Sequence, residues 1–212
     1  MKLYLKNHAE RYPVEQLQLQ LFAQEPSEFC VEPFTGDGTV SSLSRGKRYL
    51  TATAKVAYQG KTGFASNRVL LEKADVRATR RILQRSYYLA ALQVLPTAPP
   101  WGALSGVRPT KLSTKCLMAG GSERDAERLL RQTYFVSPER ARLCVDASRH
   151  TVEAAKKLDA DDLSVYIGIP FCPTRCAYCS FVSQSIERFG EFLPAYLDAL
   201  LREIAHTGAL LK

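Results

Sequence analysis

The sequence predicts an α+β domain with a helical segment, followed by the first strand and helix of a βα barrel. Apolar residues alternate with period two in several stretches up to Leu71, which is typical of half-buried strands. From Val76 onward they recur at three- and four-residue steps, as in amphipathic helices. A third apolar run leads straight into clustered cysteines and then into another helix. We therefore divide the chain into residues 1–95, 96–160 and 161–212.

The first segment reads as a small α+β unit. Strands are predicted at Lys2–Leu5, Glu28–Phe34, Arg48–Tyr58 and Thr62–Leu71, with helices after Pro13 and over Val76–Val94. Gln59-Gly60-Lys61 joins the last two strands as a tight turn, so these two strands are expected to form a hairpin.

The middle segment combines a shaped loop with helices. Trp101–Thr110 contains two glycines and a proline, so it is either a shaped loop or a plain linker. Helices are predicted over 110–119, 122–134 and 138–158, with Ser122 and Ser137 placed as N-caps of the last two.

In the last segment, the run Leu163–Ile169 is β-rich and apolar throughout, as in a buried parallel strand. After the cysteines, Phe192–Ile204 has the spacing of an amphipathic helix. The order strand, cysteine loop, helix is that of the opening unit of a βα barrel.

Composition favours a folded cytoplasmic protein. The 212 residues are 46% hydrophobic, and neither a membrane-length apolar run nor a signal peptide is evident. The net charge of +8 is uneven, because the basic excess lies before the cysteines. It indicates an anionic ligand such as a polycarboxylate, a nucleic acid, or simply a solvated basic surface.

The six cysteines fall into two groups. Cys30, Cys116 and Cys144 stand alone in segments that resemble core or helix, and we expect them to be structural. Cys172, Cys176 and Cys179 lie in one short loop, which in a cytosolic chain indicates metal rather than disulfides.

The cysteine loop has the spacing C-x3-C-x2-C. Thiolates suit iron–sulfur clusters and zinc, but a structural zinc site needs four ligands and no further pair is evident. Ferredoxin clusters need a fourth cysteine, which is also not evident nearby. Three thiolates on a [4Fe-4S] cluster leave one iron open to S-adenosylmethionine (SAM), which the reduced cluster can cleave by one-electron transfer. Zinc or an incidental cluster remains the alternative.

The stretch Tyr166-Ile167-Gly168-Ile169-Pro170-Phe171-Cys172, continued through Cys176-Ala177-Tyr178-Cys179-Ser180-Phe181, resembles the radical SAM superfamily. It is most similar to the oxygen-independent coproporphyrinogen III oxidase branch, and within it to the coproporphyrinogen dehydrogenases. Gly168 stands where the branch pattern has His. Residues 161–212 would then be the first βα unit of a truncated radical SAM (β/α)6 partial barrel.

The resemblance implies a role for each matching residue. The three cysteines would bind a [4Fe-4S] cluster, while Tyr166, Tyr178 and Phe181 would contact SAM. Each of these aromatics has an ordinary packing role as its alternative. No catalytic residue is assigned.

The implied reaction is oxidative decarboxylation of coproporphyrinogen III to protoporphyrinogen IX, in haem biosynthesis. Its partners would be a porphyrinogen-like tetracarboxylate, which Arg108 is one candidate to bind, and an electron donor such as flavodoxin. Neither nucleic acid nor membrane is implied. The loss of the imidazole at Gly168 keeps two alternatives open within the superfamily, namely another substrate and a haem chaperone. A non-catalytic iron–sulfur or zinc module is the alternative from another class.

A barrel of this kind needs roughly 200 residues, judged against larger barrels, and the chain offers far fewer after Leu163. We therefore expect the N-terminal part of a longer enzyme, inactive by itself.

Overall fold

The computed structural model describes residues 1–105, 108–177 and 179–211. They form two compact units, Met1–Leu158 and Asp159–Lys212, which are treated separately below. The subdivision of the first unit near residue 95 stays a prediction.

The first unit contains a mixed five-stranded sheet in the order β2-β1-β3-β4-β5. β1 runs parallel to β2 and β3, whereas β3, β4 and β5 are antiparallel neighbours. The strands are β1 (Lys2–Lys6), β2 (Glu28–Cys30), β3 (Gly38–Arg45), β4 (Tyr49–Tyr58) and β5 (Lys61–Leu70). The predicted α+β architecture of this part is confirmed, including the β4–β5 hairpin.

Two helices complete the sheet's layer, α1 (Tyr12–Leu21) and α2 (Val76–Ala91). α2 packs on β4 and β5, and the small side chains of Ala52 and Ala54 are fully buried beneath it. At Gly63 of β5 an added Cβ would lie 2.0 Å from the Ala90 carbonyl oxygen, so the close contact between helix and sheet requires glycine there.

Strand β3 was not predicted, although it lies in the middle of the sheet. Its sequence is rich in serine, and two of its buried side chains are polar, Thr39 and Ser41. Ser41 Oγ is 3.2 Å from His8 Nε2. Because part of this buried face is polar, the apolar alternation that marks other strands is too weak to indicate this one.

The rest of the first unit is helical, with α3 (Pro109–Met118), α4 (Glu123–Arg128), a π-helical turn (Leu129–Thr133) and α5 (Pro138–Ala155). Ser122 and Ser137 cap α4 and α5 as predicted, each accepting a backbone N–H at the helix start. Ser113 of α3 and Ser148 of α5 join the two helices through their hydroxyls, 2.7 Å apart. A second hydrophobic cluster forms here, comprising Leu104, Ala126, Leu130, Val136, Ala141, Cys144 and Val145.

The second unit contains β6 (Phe171–Cys172), β7 (Gln184–Ser185), α6 (Ile186–Phe189) and α7 (Leu193–Leu210). The helix predicted after the cysteines is confirmed as α7. The strand predicted over 163–169 is wrong, since these residues adopt neither helix nor strand and Leu163 and Ile169 are exposed. A parallel strand draws its backbone hydrogen bonds from neighbouring strands, and in the described part of this unit the paired strands are β6 and β7. The barrel start therefore stays a prediction.

Across the described residues, no helix combines the length and apolarity that a membrane span requires.

Candidate functional site

The cysteine loop is closed at its base by two short parallel strands. Cys172 ends β6 and lies in register with Ser185 of β7, and Phe171 pairs with Gln184. The Gln184 N–H also donates to the Pro170 carbonyl over 2.6 Å. These backbone hydrogen bonds bring the two ends of the loop together.

Within the loop, a backbone turn joins the second and third cysteines. The Cys179 N–H donates to the Cys176 carbonyl oxygen over 3.0 Å. Cys172, Cys176 and Cys179 are all free thiols, Cys176 exposed and the other two half-buried. All three are therefore unbridged and at least partly open to a ligand.

The three thiols are not gathered around a common point. Considering residues 1–105, 108–177 and 179–211, no three Cys, His, Asp or Glu side chains lie close enough to hold a metal ion. The chemistry of the donor set nevertheless fits an iron–sulfur cluster, because it consists of unpaired soft thiols on one loop. The cysteine ligands stay a prediction.

An open pocket of about 540 Å³ lies beside Cys172. Arg175 and Arg188 line it together with Glu187, so both signs of charge border the first cysteine. The β7 segment and Phe189 supply the opposite wall. Arg175 lies within the cysteine motif, yet the motif alone gave no reason to single it out.

The predicted SAM contacts do not line this pocket. The ring of Tyr166 is 85% exposed and borders a separate, mainly apolar groove of about 560 Å³ against α7. Phe181 is 73% exposed. Tyr178 falls outside the described residues. Their roles toward SAM stay predictions.

Tyr196 of α7 is a residue that sequence reasoning did not assign to the site. Its hydroxyl donates to the Gly168 carbonyl, and its ring meets Phe171 edge-on with centroids 5.3 Å apart. It thus holds the chain on both sides of Pro170, directly before Cys172. In the sequence it is simply one apolar-face position of a predicted helix, so no signal marked it.

The isolated cysteines lie in the first unit. Cys144 is 2% exposed, and burial raises the pKa of its thiol, which disfavours the reactive thiolate. Cys30 and Cys116 are half-buried. A structural role fits Cys144 best.

The predicted shaped loop packs tightly at its start. Gly102 has φ +59°, and an added Cβ would lie 2.1 Å from the Tyr134 carbonyl oxygen, so glycine is required. Gly106 and Val107 fall outside the described residues. Arg108 is exposed and borders a basic surface with Lys111 and Lys115 of α3. Its suggested pairing with a carboxylate stays a prediction.

Comparison with known proteins gives one informative match. Over 206 residues the chain is 31% identical to the oxygen-independent coproporphyrinogen-III oxidase-like protein HemZ of Bacillus subtilis (strain 168). The match covers 93% of this chain and 39% of that protein, so the chain spans about two fifths of its relative's length. No protein-family model matches the chain. No solved structure matches it significantly. The resemblance to the oxygen-independent coproporphyrinogen III oxidase branch is confirmed.

Proposed function

We propose that the chain is the cluster-binding part of a radical SAM enzyme of the coproporphyrinogen dehydrogenase type. The observation that carries the proposal is the set of three unbridged thiols, Cys172, Cys176 and Cys179, on one loop closed by β6 and β7. The similarity to HemZ over nearly the whole chain supports the same assignment.

Each part of the loop has a proposed task. The three cysteines hold a [4Fe-4S] cluster as thiolates and leave one iron without a protein ligand. When bound, the cluster and SAM supply one-electron reduction and hydrogen abstraction. Arg175, Arg188 and Glu187 present charges of both signs beside Cys172, which suits the zwitterionic amino-acid end of SAM.

The proposed substrate is coproporphyrinogen III or a close tetracarboxylate. Conversion of one propionate into a vinyl group removes one hydrogen atom, one carbon dioxide and one electron. The reaction therefore needs an electron donor for the cluster, such as a flavodoxin, and an acceptor for the electron released from the substrate. The basic first unit supports a polyanionic substrate, since the chain carries a net charge of +8.

One observation favours a second candidate, a radical SAM protein of another substrate or a haem chaperone. Gly168 replaces the histidine of the branch pattern, and its carbonyl is occupied by the Tyr196 hydroxyl. Position 168 therefore offers no imidazole to donate a proton or hydrogen bond.

Anaerobic reconstitution with iron and sulfide tests the cluster. We expect about four irons per chain, as the proposed cluster requires, and an EPR spectrum of the reduced protein that changes when SAM is added. The variant C172S/C176S/C179S should lose the cluster, whereas the matched control C30S/C116S should keep it. A zinc-only protein, or a cluster that survives in the triple variant, would contradict the proposal.

Substrate is tested separately. We expect the 212-residue chain to bind SAM but to form no protoporphyrinogen by itself, because Tyr166 and Phe181 are mostly exposed and radical chemistry needs an enclosed site. Chromatography of porphyrins after anaerobic incubation measures this. Clear product would show that the expectation of inactivity is wrong, and haem binding without decarboxylation by a longer form would favour the chaperone.

A further inference from the structure

A cleft of about 690 Å³ opens on the first unit, far along the sequence from the cysteine loop. Its walls come from the end of α2, from α4 with the π-helical turn, and from the start of α5. Its size lies within the range of sites for small organic ligands, roughly 300–1,000 Å³. Neither the cluster nor the SAM assignment involves it.

The floor of the cleft is aromatic and apolar. Tyr88 is 1% exposed and stacks on Phe135, with ring centroids 5.0 Å apart and planes 25° from parallel. Leu92 and the buried Val136 extend this floor. Burial raises the pKa of the Tyr88 phenol, which therefore stays a neutral hydrogen-bond donor. Such a floor suits the face of a flat ring system.

The rim of the cleft is cationic. Arg124, Arg128 and Arg131 follow one another at helical spacings of four and three residues, and all three line the opening. Arg128 pairs with Asp125 at 2.9 Å and Arg131 with Glu127 at 3.2 Å, whereas Arg124 forms no ion pair with any described residue. Since Glu127 is the one acid in the lining, the described walls keep a positive excess.

Backbone contacts hold the cleft in shape. The Ala103 N–H donates to the Tyr134 carbonyl over 2.8 Å, and the Ser137 N–H donates to the Pro100 carbonyl over 2.9 Å. The Arg85 guanidinium lies 4.7 Å from the centroid of the Phe135 ring and donates to the Gln132 carbonyl over 3.0 Å. The aromatic floor is thus fixed before any ligand arrives, which lowers the entropic cost of binding.

We propose that this cleft binds a flat, apolar ring system bearing several carboxylates, with the ring on Tyr88 and Phe135 and the carboxylates on the three arginines. Guanidinium groups form bidentate, charge-assisted hydrogen bonds with carboxylates, and aromatic faces recognise flat rings. The choice of a tetrapyrrole as that ligand rests on the proposed function, whereas the preference for an aromatic polycarboxylate rests on the cleft alone.

Titration of the full chain with coproporphyrin III, followed by porphyrin fluorescence, tests the proposal. In the variant R124E/R131Q we expect affinity to fall about ten-fold or more, because charge-assisted hydrogen bonds are lost. The control R77E/R45Q makes the same change in net charge at exposed positions outside the cleft and should bind like the parent. A98W, which fills the cleft from an exposed position, should also weaken binding.

Equal affinity of R124E/R131Q and the parent would overturn the proposal, as would an equal loss in the control, since that would indicate unspecific charge attraction. Circular dichroism of each variant checks that the fold is kept. Repeating the titration with C172S/C176S/C179S separates the two proposals. Binding should persist there, so failure of the cluster assignment leaves this result unchanged, and loss of binding in that variant would place the ligand elsewhere.

Discussion

The hydroxyl of Tyr196 on α7 donates a hydrogen bond to the backbone carbonyl of Gly168, with 2.5 Å between the two oxygens. The same ring packs edge-on against Phe171, the residue before the first cysteine of the loop. One side chain therefore anchors the segment that leads into Cys172. Because residues 163–169 form no strand, this anchor replaces some of the order that sheet pairing would give.

Replacement of Tyr196 by phenylalanine should loosen this segment. The ring contact with Phe171 remains, but the hydrogen bond to Gly168 is lost, which typically costs about 1 kcal/mol or less at an exposed site. We expect faster amide hydrogen exchange over residues 165–172, measured by mass spectrometry. Tyr166→Phe is the control, since that ring is 85% exposed. Equal exchange in the two variants would contradict the anchoring role.

Replacement of Gly168 by histidine should be tolerated and should leave the cluster in place. A Cβ at this position would lie 3.3 Å from Cε1 of Tyr166, whose exposed ring can move by a few tenths of an ångström. We expect iron and sulfide content after reconstitution to equal that of the parent chain. Loss of cluster in Gly168→His, with normal loading in Gly168→Ala, would show that an imbalance in the site rather than backbone strain is decisive.

Gln93 protects the outer edge of the sheet, and its removal should lower stability. Its side-chain amide accepts from the Phe64 N–H over 3.1 Å and donates to the Phe64 carbonyl over 2.8 Å, as a neighbouring strand would. We expect Gln93→Ala to lower the free energy of unfolding by about 1–2 kcal/mol in urea titrations. Gln20→Ala, on the exposed side of α1, should change it by less than about 0.5 kcal/mol. A similar effect of both substitutions would contradict the role of Gln93.

His8 should make the first unit less stable in mild acid. Burial lowers the pKa of its imidazole below the ordinary value of 6.5, and the buried Nδ1 has no partner among the described residues. The unfolded chain therefore binds a proton more readily than the folded chain. The resulting loss of stability begins as pH falls below about 6.5 and is complete below the folded pKa.

The variant His8→Gln, which cannot be protonated there, should lose less stability than the parent between pH 7.5 and 5. Urea unfolding at each pH measures the difference. His206→Gln, an exposed position on α7, should retain the slope of the parent. If His8→Gln also retains that slope, another group causes the pH dependence.

The sequence by itself determined the local elements and the chemistry of the loop. The hairpin β4–β5, the helices α2, α3 and α5 and the serine caps at Ser122 and Ser137 follow from periodicity and capping, which depend on near neighbours in the chain. The three thiols and their spacing are likewise local, and the resemblance that they carry is confirmed by the match to HemZ.

Tertiary structure decided what depends on distant partners. β3 became a central strand despite its serines, because β1 and β4 supply its hydrogen bonds and His8 partners Ser41. Conversely, the apolar run 163–169 formed no strand, because apolar sequence cannot replace a hydrogen-bonding neighbour. The contact of Tyr196 with Gly168 and the cleft under Arg124 join residues far apart in sequence, so no pattern in the chain predicts them.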